Sequence, residues 1–131
     1  MSREIKFRGW DSVNEVMLPV ESINFREGYV SLNEGDNSLT DTLEMIELMQ
    51  YTCLKDKNRK EIYEGDILSI KIYSGDKVIV EGKTVVEFKD GCFGVIWGHD
   101  KAFLSLNSFF KAKFEVIGNI YENPELLRGE K

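Results

Sequence analysis

Thr84-Val85-Val86-Glu87-Phe88-Lys89-Asp90-Gly91-Cys92-Phe93-Gly94-Val95-Ile96-Trp97 is the stretch that decides the fold reading. Asp90-Gly91 is the dipeptide favoured by a two-residue type I′ turn, whose central residues both need positive φ. A turn there pairs Lys89 with Cys92, Phe88 with Phe93, Glu87 with Gly94, Val86 with Val95, Val85 with Ile96 and Thr84 with Trp97. Successive side chains in a strand alternate between faces, so Phe88/Phe93, Val86/Val95 and Thr84/Trp97 share one side. Aromatic and β-branched cross-strand pairs stabilise sheets, and this side is expected to be core.

The same punctuated alternation runs outward in both directions. C-terminal to the hairpin, Phe103-Leu104-Ser105-Leu106 reads as a strand, and Phe114 to Tyr121 as another with apolar residues on both faces. Asn123-Pro124-Glu125 then has the composition of a helix start, predicting one short turn anchored by Leu126-Leu127. N-terminal to it, Ile67, Ser69, Lys71 and Tyr73 face one way and Leu68, Ile70 and Ile72 the other, with Ser74-Gly75-Asp76 as the turn. Earlier still, Ile5 to Gly9 and Val16 to Leu18 make one hairpin, with Pro19 at an edge or an end. Val20 to Phe25 and Tyr29 to Leu32 make a second across Arg26-Glu27-Gly28. Residues 33–42 are polar and turn-rich, predicting a surface loop. Leu43 to Tyr51 fits a helix by its spacing and a strand by its alternation; the strand is preferred.

The expected fold is therefore mainly β with at most short helices. An SH3-like small barrel occupies the C-terminal half, with an N-terminal lobe of β-hairpins packed against it, in a single domain with sublobes 1–50 and 51–127. A chain of 131 residues with 42% hydrophobic side chains is long enough to bury such a core without staples. No apolar run is long enough for a membrane-spanning helix, and the opening residues lack a secretory pattern, so a cytoplasmic protein is expected. Cys53 and Cys92 sit in no metal-ligand or redox motif and read as reduced thiols. The net charge of −6 disfavours nucleic acid unless a local basic patch overcomes it.

Met49-Gln50-Tyr51-Thr52-Cys53-Leu54-Lys55-Asp56-Lys57-Asn58-Arg59-Lys60-Glu61-Ile62-Tyr63-Glu64-Gly65-Asp66-Ile67 resembles the signature of the YopX family of phage and prophage proteins. Arg3-Glu4-Ile5-Lys6-Phe7-Arg8-Gly9-Trp10-Asp11 resembles that family's opening, and the run from Glu115 to Leu127 resembles its close. The resemblance implies a phage- or prophage-encoded protein inside a bacterial host, with no catalytic activity or cofactor attached. Two positions depart from the pattern: the family usually carries glycine where Cys53 stands and often where Arg59 stands. A turn glycine commonly supplies positive φ, which costs a residue with a Cβ about 1 kcal/mol or more. Either these positions accept side chains in that conformation, or the loop is reshaped.

Three groups of residues are candidates for function. The segment from Lys55 to Asp66 is explained by turn chemistry, but as an exposed loop on a rigid β scaffold it would offer Tyr51, Lys55, Asp56, Tyr63 and Glu64 as a contact face. Glu61, Glu64 and Asp66 have no supporting histidine cluster, and His99 reads as a solvated turn residue. No phosphate loop, HExxH or GxSxG motif occurs. Phe109-Phe110-Lys111-Ala112-Lys113-Phe114 interleaves rings with lysines as single-strand binders do, although rings in a core with lysines left wet is the preferred explanation.

The leading expectation is a non-enzymatic accessory protein without metal or cofactor. It would bind an unidentified protein, self-association included. The alternative is a small nucleic-acid-binding module using Phe110, Lys111 and Lys113, with Lys55, Lys57, Arg59 and Lys60 joining only if the fold brings the two segments together.

Overall fold

A computed structural model describes residues 3–128. It is mainly β. The strands are β1 (Phe7–Asp11), β2 (Val16–Asn24), β3 (Tyr29–Asn33), β4 (Ser38–Thr42), β5 (Ile46–Lys55), β6 (Glu61–Tyr63), β7 (Asp66–Ser74), β8 (Lys77–Val85), β9 (Glu87–Lys89), β10 (Cys92–Trp97), β11 (Ala102–Ser105) and β12 (Ala112–Asn119). Leu106–Ser108 and Pro124–Leu127 are single 3-10 turns. The chain divides into two compact units, Met1–Tyr51 and Thr52–Lys131.

In the first unit the strands lie in the order β4-β3-β2-β1-β5, all antiparallel. Leu43 to Tyr51 resolves as predicted: a short turn, then β5 from Ile46. Pro19 is the last β2 residue paired with β1, and from Val20 the strand pairs with β3, so the residue without an N–H sits where one ladder hands over to the next. The expected loop over residues 33–42 is corrected, because Ser38–Thr42 is β4, hydrogen-bonded along β3. Its polar residues alternate with Leu39, which packs on the core of Val30, Leu32 and Ile46. Asp11 is buried at the β1–β2 turn, where its carboxylate accepts the backbone N–H groups of Val13 and Asn14 and the Asn14 side-chain amide.

In the second unit one sheet has the order β12-β7-β8 and another β11-β10-β9. Beside them the end of β5 is tied to β6, where the Thr52 hydroxyl donates to the Ile62 carbonyl at 2.8 Å. The core is Ile62, Leu68, Ile70, Val86, Val95 and Leu106. Among the described residues the ladders form these separate sheets and do not close into a barrel.

The Asp90-Gly91 turn forms with both residues at positive φ, +54° and +83°, and pairs Lys89 with Cys92, Phe88 with Phe93 and Glu87 with Gly94 as predicted. Beyond Glu87 the predicted register stops. Thr84 and Val85 pair instead with Leu68 and Ile67 of β7, so one apparent strand is two strands in different sheets. The break is Val86, which is buried; its N–H donates to Asp66 and its carbonyl accepts the Gly65 N–H. Thr84 still reaches across with its hydroxyl, donating to the Ile96 carbonyl at 2.8 Å.

The predicted core face holds at Thr84, Val86 and Val95 and fails at Phe88, which is 53% exposed and meets the Phe93 ring edge-on at 5.0 Å. Phe93 packs against the core, and Phe88 stands outside it on the short strand β9. At the C-terminus Leu127 is exposed and Leu126 half-buried, so of the expected anchoring pair only Leu126 is partly covered. Asn123 makes no side-chain cap; its Oδ1 accepts the Asn119 N–H instead. β12 is an edge strand and mostly half-buried, not buried on both faces.

Candidate functional site

The polar run Lys55-Asp56-Lys57-Asn58 folds as a turn, and Asp56 is its organiser. Asp56 Oδ1 accepts the N–H groups of Asn58 and Lys60, both at 2.8 Å, and Oδ2 accepts the Val116 N–H at 2.9 Å. Burial pushes this carboxyl up. The N–H groups of Val116, Lys60 and Asn58, with the Lys60 charge, outweigh that and hold its pKa below the usual carboxylate range. A backbone bond from Lys57 to the Phe114 carbonyl, 2.9 Å, completes the attachment. The loop at 55–60 is therefore fixed against β12, and the two segments that the sequence left separate are one surface.

That surface is cationic and aromatic. β12 runs antiparallel to β7 with Lys113 directly opposite Lys71. The Lys113 ammonium lies 5.2 Å from the Tyr73 ring centre, and Lys111 lies 5.7 Å from that of Phe110. Phe110 is 77% exposed. One shallow cleft of about 430 Å³ is lined by Tyr73, Gly75, Asp76, Lys111, Ala112 and Lys113. A second, of about 480 Å³, is lined by Lys55, Asp56, Lys57, Ala112, Lys113 and Phe114. Ala112 and Lys113 belong to both, which makes the surface continuous. Carboxylates border it: Glu115 pairs with Lys57 at 3.5 Å, an exposed contact worth little to stability, and Asp76 lines the first cleft.

The chain's charge is segregated. Residues 1–51 hold 4 basic and 10 acidic groups, the whole net charge of −6, while residues 52–131 hold 13 of each. The overall anionic balance therefore does not describe the unit that carries the lysines.

The predicted contact residues separate. Lys55 lines the second cleft, and Phe110, Lys111 and Lys113 are all exposed at the surface. Asp56 is there too but buried, with its oxygens engaged by backbone, so it builds the loop and is corrected as a contact residue. Tyr51 is also corrected: it is buried in the first unit, with the Lys6 ammonium 5.2 Å from its ring centre. Tyr63 and Glu64 are half-buried in the β6–β7 turn, where the Tyr63 N–H donates to Asp66 Oδ2 at 2.8 Å, and they line neither cleft. Lys71 and Tyr73 share one face of β7 by alternation, which in sequence carries no sign of a site. The β7–β12 register that sets Lys113 beside them comes from pairing distant in sequence.

Cys53 and Arg59 have φ of +73° and +69°. The backbone keeps the conformation that glycine would supply, and the side chains are accommodated in it. Among the described residues no group of three or more His, Cys, Asp or Glu side chains is placed to hold a metal ion, and no helix is long and apolar enough to cross a membrane.

No curated protein matches the chain. Among solved structures, protein EF1440 from Enterococcus faecalis superposes with a TM-score of 0.67 at 30% identity, over 97% of this chain and 100% of that one. Protein yopX from Bacillus subtilis superposes with a TM-score of 0.67 at 27% identity, over 96% of this chain and 98% of that one. The model of the YopX protein family matches residues 6–128, and the chain belongs to that family.

Proposed function

We propose that this protein is a non-enzymatic binding module that takes a single strand of nucleic acid across the lysine face of its second unit. The observation that carries the reading is Lys113 set directly opposite Lys71. Like charges in register on a sheet are destabilising; Glu81 of β8 faces Lys71 from its other side, and Lys113 adds a second ammonium that an anion relieves. Lys55, Lys57 and Lys111 extend it into a track, and exposed Phe110 offers a ring on which a base stacks. The setting is the one the family resemblance implies, a phage- or prophage-encoded protein acting in the host cytoplasm.

The test is fluorescence anisotropy with labelled oligo(dT) and oligo(rU) at low salt. Binding should weaken with salt at a log–log slope of about −2 for roughly three phosphate contacts, and Lys111→Glu with Lys113→Glu should abolish it. No binding at low salt discards the reading.

A protein partner is the second reading, favoured by Val78, Ile79 and Val80, which stand exposed on the edge strand β8. Capture of a partner from phage-infected cells that is lost in Ile79→Lys and kept in the lysine variants would select it.

A further inference from the structure

Outside the lysine face, the second unit has a cleft of about 500 Å³ between β8 and the end of β10. It is lined by the apolar Val80, Ile96 and Trp97 and by the polar Glu81, Lys83, His99 and Lys101. Gly82 opens it. A Cβ there would lie 3.2 Å from Trp97 Cη2, so the absence of a side chain is what lets the indole rest across β8. The indole is braced from behind by the Phe109 ring, edge-on at 5.6 Å, and Phe109 by Phe114 in the same way. Phe114 in turn lines the second lysine cleft. Lys101 takes a φ of +54° in the β10–β11 turn, where its N–H donates to the Gly98 carbonyl at 3.2 Å.

A half-buried, braced indole in a cleft whose lining also includes Lys83 and Lys101 fits a planar base with a phosphate attached. The volume falls in the range of small-molecule sites. We propose that this cleft is a nucleotide subsite in which Trp97 stacks on the base while Lys83 and Lys101 hold the phosphate. The proposal rests on the nucleic-acid reading above and adds a second, base-sized site to it. A free nucleotide and a 5′-phosphorylated strand end present the same chemistry.

The experiment follows Trp97 emission in the full chain carrying Trp10→Phe, so that a single indole reports. Adenosine monophosphate and uridine monophosphate are titrated beside inorganic phosphate, and a 5′-phosphorylated oligonucleotide beside its unphosphorylated twin. Saturable quenching by the monophosphates is expected, weakened at least tenfold in Gly82→Val and several-fold in Lys83→Gln with Lys101→Gln. Calorimetry on the unaltered chain gives the same readout should Trp10→Phe fold poorly. A preference for the phosphorylated oligonucleotide over the monophosphates identifies a strand end as the occupant, and the reverse a free nucleotide. Absent or non-saturable monophosphate quenching, or equal effects of inorganic phosphate, overturns the subsite. Oligonucleotide binding without monophosphate quenching overturns it alone, whereas quenching without oligonucleotide binding overturns the lysine track and leaves the cleft.

Discussion

Asp56 Oδ2 accepts the backbone N–H of Val116, 60 residues further along the chain, at 2.9 Å. One buried carboxylate thus joins the signature turn to the edge strand β12 while its other oxygen shapes the turn. Asp56→Ala strands three N–H groups, Val116 and two in the turn. Because hydrogen bonds to charged acceptors contribute about 1.5–3 kcal/mol each and strongly shared ones do not add, the variant should lose about 2–4 kcal/mol. Urea unfolding measures it, and a loss under about 1 kcal/mol would mean that water replaces the carboxylate freely.

Acid should expose the same dependence. Asp56 titrates below its ordinary range for the reasons given, and Asp11 does so chiefly because the Asn14 amide bonds its charged form, with burial opposing and the Asn14 and Val13 N–H groups assisting. A carboxyl whose folded pKa lies below its unfolded value of about 3.9 contributes stability that is present above that pH and is lost as pH falls through the folded pKa. Unfolding free energy should therefore be flat from neutrality down to about pH 5 on account of these groups and fall below about pH 4. Asp11→Asn with Asp56→Asn should start lower and fall less steeply. An unchanged acid slope in the double variant refutes the assignment.

Cys53 and Arg59 carry positive φ, which costs an L-residue about 1–2 kcal/mol, part of which glycine returns to the unfolded chain as entropy. Cys53→Gly and Arg59→Gly should each stabilise the fold by about 0.5–1 kcal/mol, whereas Cys53→Ala should gain nothing, since alanine keeps the Cβ. Thermal melts of the three variants decide it. Destabilisation by both glycines would show that the side chains contribute more by contact than the backbone loses by strain.

Phe88 illustrates what local pattern can and cannot reveal. The Asp90-Gly91 turn fixes the pairing with Phe93 from sequence alone, because the turn's φ requirements act over a few residues. Whether a third layer covers that pair depends on pieces distant in the chain, and Phe88 is 53% exposed. For the same reason β8 and β9 read as one strand, since Val86 bends into the core only because Gly65 and Asp66 are there to bond it. The lysines near Phe110 were visible in sequence, but their union with Lys55, Lys57 and Lys71 needed the β7–β12 register and the Asp56 link. Phe88→Ala should accordingly cost about 1 kcal/mol, the worth of an aromatic pair near the surface, where a fully buried phenylalanine costs about 3–5. A loss in the larger range would show that Phe88 is covered in solution.

The Lys71–Lys113 pair sets stability against binding. Cross-strand pairs contribute about 0.2–1 kcal/mol with a sign set by charge, so Lys113→Gln should raise the urea midpoint slightly and Lys113→Glu, which places a carboxylate opposite Lys71, should raise it further. Both gains should shrink in high salt, where exposed charges are screened. Oligonucleotide affinity should move the other way, falling in the glutamine variant and further in the glutamate variant, because each step removes positive charge from the track. Opposed shifts in the same two proteins are the signature of a residue kept for binding at the expense of the fold. If both variants are less stable than the parent, Lys113 is a packing residue whose aliphatic stem covers Tyr73, and the repulsion that motivates the nucleic-acid reading does not exist.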